Sequence, residues 1–294
     1  MVATTRDEWL EQRMNSVGGS EAATVMGCNP FETPLALYGR KRGELPAIQT
    51  NEAMRVGHHM EPYLSCRYFD ETDRATQDLG AFTIQRRDDH PFMHATLDRM
   101  IDPCDGHDMP GVLQCKNVGH RMASKWSDGE VPLYVQVQIQ HEMHVSKMEW
   151  GSVAALLSGN EFVWQDVERH DGVCKVLVKE CEAFMRSVRE GTPPDATADD
   201  GDVVRLLHPN AVPGKTIVLP EEAIELTEIV ESWGLIIKGN ESMVAGAKAR
   251  LVQLIGDAEI AELPGGGGAW TCKTVKRKAY EVKESKTRQL RRKK

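Results

Sequence analysis

Apolar and polar positions change period along the chain, and the changes divide it into helical and extended stretches. Up to about residue 70 the spacing is helical and is interrupted by glycine and proline. Thr5-Arg-Asp-Glu8 has the form of a capping box opening a short helix to about residue 14. Gly18-Gly19-Ser20 breaks the pattern, and Ser20 is placed to cap a second helix that ends near Gly27. Thr33-Pro34 puts a cap and an N1 proline at the head of a third helix, which stops near Gly43. Asn51-Glu52 opens a longer helix to about residue 70, with Met54, Leu64 and Tyr68 as its buried stripe.

The period then shortens to two. Residues 80–85, 93–102 and 111–116 read as strands, the last after a turn rich in Pro, Gly and Asp. Residues 132–144 are ambiguous, because 135–140 alternate like a strand, but their length and Pro132 favour a helix. Residues 149–157 and 161–169 predict a hairpin turning at Ser158-Gly159-Asn160, and a helix over 173–189 closes the unit. The stretch 191–201 has the composition of a linker. Beyond it, 220–255 is helical, Gly265 to Gly268 forms a flexible turn, and 270–282 suggests a hairpin arm. The pattern predicts an α/β core over residues 1–194 and a helical C-terminal appendage over 195–294, with no internal repeat.

Composition narrows the function classes. No run of about 18 apolar residues is present, so no membrane span is expected, and the N-terminus has no apolar leader, which points to the cytoplasm. Seven cysteines at irregular spacings, with no CxxC pair, argue against a zinc ribbon or a disulfide framework and for reduced thiols. The net charge is −8, but residues 273–294 carry +9, leaving −17 on the rest. An acidic body suits carboxylate-based metal chemistry, and a basic tail suits a polyanion or a solvated terminus.

Three segments carry candidate chemistry: Gly57-His-His-Met-Glu61-Pro62 on the long helix, Thr96-Leu-Asp98 within the second strand, and Gln114-Cys115-Lys116 on the third. Residues two apart on a strand share a face, so Gln114 and Lys116 point the same way. With Asp98 on a neighbouring strand, three polar groups converge inside the core, which is costly unless they have partners such as a metal ion and a phosphate. His58 lies three residues before Glu61 and is placed either to support it, to touch a metal, or simply to pack. His141 and His144 have helical spacing without a partner motif and read as structural. Trp126 reads as core or loop packing, or as a stacking residue for a base.

Asp98 followed by Gln114-x-Lys116 resembles the D…(E/Q)xK signature of the PD-(D/E)xK nuclease superfamily. The segment from Arg13 through Ser20, Asn29-Pro-Phe-Glu-Thr-Pro34-Leu, Gly57-x-x-x-Glu61-Pro and Pro132-x-Tyr134-x-Gln136-x-Gln138 resemble, in order, the phage-type recombination exonucleases of the lambda exonuclease/YqaJ group, over about residues 10–190. The resemblance implies a restriction-endonuclease-like core, a mixed central sheet flanked by helices. It also implies a 5′→3′ exonuclease that digests one strand of linear double-stranded DNA from 5′-phosphorylated ends. The 3′ overhangs would serve single-strand-annealing recombination in a bacterial or phage-infected cell. Glu61, Asp98 and Gln114, with the backbone carbonyl of Cys115, would hold two Mg²⁺ ions, for which Mn²⁺ can substitute. Lys116 would orient or help deprotonate water, and Gln138, ahead of Gln136, would hold the water or the lysine. Arg13, Ser20 and Thr96 would form the 5′-phosphate pocket. The implied assembly is a homo-trimer around DNA, with a single-strand annealing protein as a further partner.

The chain departs from the usual pattern at Gln114, where most members of the superfamily have Glu. An amide lacks the charge that favours Mg²⁺ binding, so weaker binding and slower cleavage are expected, with the fold intact. A Glu→Gln change that traps a DNA complex, a natural Gln-bearing nuclease and an inactive end-binding protein all remain open. A structure-specific endonuclease and a non-catalytic DNA-end-binding protein are the alternative functions.

Overall fold

The computed structural model describes residues 6–80, 82–276 and 290, and these fall into two compact units, Met1–Pro209 and Asn210–Lys294. In the first unit, four helices come first: α1 Arg6–Met14, α2 Gly19–Val25, α3 Pro34–Lys41 and α4 Glu52–Thr72. Short strands β1 Thr76–Gln77, β2 Gln85–Arg86, β3 His94–Ala95 and β4 Arg99–Ile101 lead into the long strand β5 Gly111–Val118. A one-turn helix α5 His120–Ala123 precedes α6 Leu133–Ser146, the hairpin β6 Trp150–Leu157 and β7 Glu161–Glu168, helix α7 Asp171–Glu190 and short helix α8 Gly201–Leu207.

Capping chemistry fixes several of these starts. Thr33 Oγ1 accepts from the Ala36 N–H at 3.2 Å, and Asn51 Oδ1 accepts from the Met54 N–H at 2.9 Å. The second helix differs from expectation: Gly18 is its N-cap and Ser20 lies inside its first turn. The Glu21 carboxylate reaches back to the Gly18 N–H at 2.9 Å, the half of a capping box that the third helical residue supplies. The proposed cap at Thr5 lies outside the described residues. On α4, Leu64 and Tyr68 are buried, but Met54 is exposed, because the first turns of this helix do not reach the sheet.

The sheet has the order β1-β4-β5-β6-β7, with β5 and β6 parallel and the other pairs antiparallel. Helix α6 is the crossover between β5 and β6. This settles the ambiguity over 132–144 in favour of a helix, since a parallel pair requires such a connection. All eight residues of β6 are buried, as expected of a central strand covered on both faces. Val112 and Val118 of β5 join the cluster under α6 and α7, while Leu113 and Cys115 join the one under α4. Gln114 and Lys116, in register with the first pair, therefore face α6. The hairpin between β6 and β7 turns at Ser158 and Gly159, with φ of 53° and 80°, the left-handed pair of a tight hairpin turn.

Two strand expectations change. The run 93–102 is two strands, with β3 pairing to β2 and β4 pairing to β1 and β5, separated at Thr96 to Asp98. The run 80–85 contributes only the start of β2, and Ala81 is outside the described residues. Residues 195–209, grouped by composition with the appendage, lie in the first unit, where Asp200 is bonded to the Thr33 hydroxyl.

The second unit contains the long helix α9 Glu222–Ile255 and a hairpin of β8 Ile260–Glu262 with β9 Ala269–Thr271. The glycine run Gly265 to Gly268 lies in its turn, as expected, and the arm expected over 270–282 lies outside the described residues beyond residue 276. The basic tail, apart from residues 273–276 and Leu290, lies outside the described residues.

Candidate nuclease site

The break between β3 and β4 gives the site its first residue. The pairing of Arg99 with Leu113 sets Asp98 opposite Gln114. The Cys115 N–H donates to Asp98 Oδ2 at 2.8 Å, and the Gln114 amide nitrogen donates to the same oxygen. Asp98 therefore lies beside the end of the ladder rather than in mid-strand, fixed by donors from β5. Burial raises its pKa to about 6, with Lys116 opposing and the Glu61 carboxylate reinforcing the shift.

Helix α6 supplies the other side. Lys116 Nζ donates to Gln138 Oε1 at 2.8 Å, and Gln138 Nε2 donates to Gln114 Oε1 at 2.9 Å. Asp98, Gln114, Gln138 and Lys116 thus form one chain of hydrogen bonds between β5 and α6. Gln136 lies outside it, with its amide bonded to the Val131 carbonyl. Two residues along a helix turn a side chain away, so only one of the paired glutamines can enter the site.

Glu61 approaches from α4, where His58 Nδ1 lies 2.9 Å from its Oε1 and Arg99 lies 3.9 Å from its Oε2. His58 therefore supports Glu61. Cys115 places its thiol against α4, 4.0 Å from the Glu61 carbonyl, and its main chain runs past Asp98. Among the described residues no group of three or more His, Cys, Asp or Glu side chains is arranged to hold a metal ion. Position 114 on β5 carries an amide, beside the carboxylates of Glu61 and Asp98. Its nitrogen faces Asp98, so its oxygen can meet a cation only if the amide turns over. The residues still fit a hard divalent cation: the carboxylates of Asp98 and Glu61, the Gln114 amide and the main chain at Cys115 gather in one place.

Two of the three residues expected at a phosphate pocket meet at one side chain. The Arg13 guanidinium lies 4.1 Å over the Trp9 ring, and Trp9 Nε1 donates to Thr96 Oγ1 at 3.4 Å, so Arg13 and Thr96 share one tryptophan. Ser20 is exposed on the first turn of α2. Three features escaped the sequence reading. Lys41 is buried, with Nζ bonded to the Arg13 carbonyl at 2.8 Å, the Ser16 carbonyl at 2.7 Å and Glu21 Oε2 at 2.8 Å. His94 shares a 2.8 Å hydrogen bond with Ser16. Glu142, 2% exposed, accepts from Gln138 Nε2 at 2.9 Å. Only Glu142 left a trace in the sequence: it lies four residues after Gln138, on the same helix face.

Glu142 also explains a glycine. A Cβ on Gly19 would come within 2.5 Å of Glu142 Oε1. Gly19→Ala should therefore destabilise the fold by about 1–3 kcal/mol, seen as a lower midpoint in urea.

The remaining candidates are structural. His141 is buried against the His94 carbonyl at 3.0 Å, the His144 ring packs 5.1 Å from that of His90, and Trp126 is a core residue.

Comparison with known proteins now bears on this geometry. Residues 8–149 match the YqaJ-like viral recombinase domain. The uncharacterized protein YqaJ of Bacillus subtilis (strain 168) is 31% identical over 194 residues, 65% of this chain. The match spans 59% of that protein's own length. The fold is shared with the alkaline exonuclease LHK-Exo of Laribacter hongkongensis, at a TM-score of 0.50, 19% identity, 63% of this chain and 94% of that one. It is shared equally with LHK-Exo in complex with dAMP, at a TM-score of 0.51 and 19% identity over the same shares. At 19% identity the likeness is one of fold.

Proposed function

We propose that this chain is a metal-dependent 5′→3′ exonuclease that digests one strand of linear double-stranded DNA from 5′-phosphorylated ends. The 3′ overhangs it leaves would feed single-strand-annealing recombination. The observation that carries this reading is the hydrogen-bonded chain from Asp98 through Gln114 and Gln138 to Lys116, set between a central strand and its crossover helix.

Glu61, Asp98 and Gln114, with the Cys115 carbonyl, would hold two Mg²⁺ ions, or Mn²⁺ in their place. When bound, these ions supply Lewis-acid activation of water and stabilisation of the leaving oxygen. Lys116, held by Gln138, orients the attacking water and offsets charge developing on the phosphate. Gln138 fixes the lysine by occupying one of its donors. Arg13 offers a forked donor to a terminal phosphate, with Thr96 beside it and Ser20 at the edge. The linear duplex end is the substrate, the assembly is a homo-trimer, and an annealing protein is a partner. No helix among the described residues is long and apolar enough to cross a membrane, and the cytoplasm is the proposed location. With Gln114 offering only a neutral oxygen, cation affinity rests on the acids that remain.

A linear duplex bearing 5′-phosphates, incubated with Mg²⁺ or Mn²⁺, should release mononucleotides from its 5′ ends, while a covalently closed circle stays intact. Cleavage of the circle would favour a structure-specific endonuclease. Tight end binding without hydrolysis would favour a non-catalytic end-binding protein, the reading to which Gln114 lends some weight.

A further inference from the structure

The site contains one carboxyl group that the proposed chemistry does not use. Glu142 lies on α6, one turn after Gln138, with its side chain inside the protein. Its Oε1 accepts from Gln138 Nε2, while its Oε2 is buried with no hydrogen-bond partner. The same Gln138 nitrogen donates to Gln114 Oε1, and both bonds are 2.9 Å. The Glu142 carboxyl and the amide at position 114 therefore lie within two hydrogen-bond lengths of each other, separated by a single nitrogen. Leaving a carboxylate oxygen buried and unpaired is costly, and proteins keep such groups where a charge or a ligand completes them.

We propose that Glu142 supplies the acidic charge that strand β5 lacks at Gln114, acting through Gln138 on a cation held by Glu61 and Asp98. This rests on the reading of the site as a divalent-cation centre. An amide on the strand and a carboxyl on the helix are bridged by Gln138, so a third acid lies behind the pair Glu61 and Asp98 and acts on their cation through its charge. The packing agrees: Gly19 has no side chain where Glu142 lies, so the α2 turn leaves room for this carboxyl. Burial, with Asp98 nearby, raises its pKa to about 8, as expected of an acid facing another acid before a cation arrives. On this reading Gln114→Glu alone gains little, because the acid it restores has a counterpart one side chain away in Glu142.

The test is Mn²⁺ binding to the full chain without DNA, followed by calorimetry and by the electron paramagnetic resonance signal of free Mn²⁺. Glu142→Gln keeps the size of the side chain and its acceptor for Gln138 but removes the charge. It should weaken Mn²⁺ binding by about tenfold or more, and Gln114→Glu placed in the same chain should recover most of the loss. In the parent chain, Gln114→Glu should change affinity by less than about threefold. A thermal melt of Glu142→Gln close to that of the parent separates loss of charge from loss of fold. Mn²⁺ affinity of Glu142→Gln within about twofold of the parent would overturn the proposal and leave the cation centre standing. So would a gain of about tenfold from Gln114→Glu alone, a readout that needs no change at Glu142. Absence of Mn²⁺ binding in the parent and every variant would overturn the cation reading together with this one.

Discussion

Lys116→Ala is expected to lower the rate of DNA hydrolysis by about 10²–10⁴-fold, the usual contribution of a positioned group that handles protons or charge at the reacting centre. Single-turnover kinetics on a 5′-phosphorylated duplex would measure it. The fold should survive, because Lys116 is only half-buried and Asp98, on losing the opposing charge, can take up a proton. Affinity for the DNA end should change little, since Arg13 and Thr96 are held through Trp9, separately from Lys116. This pattern, a fall in rate at nearly constant affinity, marks a group that acts mainly in the transition state. A loss of less than about fivefold would place the chemistry elsewhere.

How much of this was legible in the sequence depended on the range of the interactions. Helix starts set by a local cap were readable: Thr33 and Asn51 bond to donors three residues on, and both mark their helices. The tight turn at Ser158 and Gly159 was readable for the same reason. The start of α2 was not, because its capping acceptor is a carboxylate inside the helix and Lys41 on the next helix completes it. The run 93–102 looks continuous in sequence, yet it splits at Asp98, where donors from β5 replace the ladder. Such a break depends on a partner strand that the local pattern does not contain.

The candidate site divides in the same way. The face shared by Gln114 and Lys116 follows from strand geometry, and Gln138 from the resemblance. Lys41 and Glu142 looked like ordinary charged residues on amphipathic helices. Only the packing of α2 against α6 and of α3 against α2 shows that both are buried. Long charged side chains are rarely buried without a partner, so their burial marks them as informative once a structure is available.

The other large effect concerns stability. Glu21 and Lys41 form a buried ion pair of 2.8 Å that ties α3 to the turn bearing Gly18, Gly19 and Ser20. Burial alone would raise the pKa of Glu21, but Lys41 and Arg13 outweigh it and hold the carboxyl at about 2, below its ordinary 4.5. A folded-state value below the unfolded one contributes stability that is complete above about pH 4.5 and is lost as pH falls toward 2. Lys41→Met leaves a buried carboxylate without its main partner and should cost about 3–5 kcal/mol at neutral pH. For a unit of this size that lowers the melting temperature by about 10 °C. The cost should shrink as the solution is acidified, because Glu21 in the variant takes up a proton at higher pH than in the parent. Glu21→Gln combined with Lys41→Met should recover part of the loss by removing the unpaired charge. Denaturant titrations of the three proteins at neutral and mildly acidic pH would measure both effects. A Lys41→Met penalty that stays constant across that range would mean that lost packing of the lysine stem, rather than the stranded charge, causes the destabilisation.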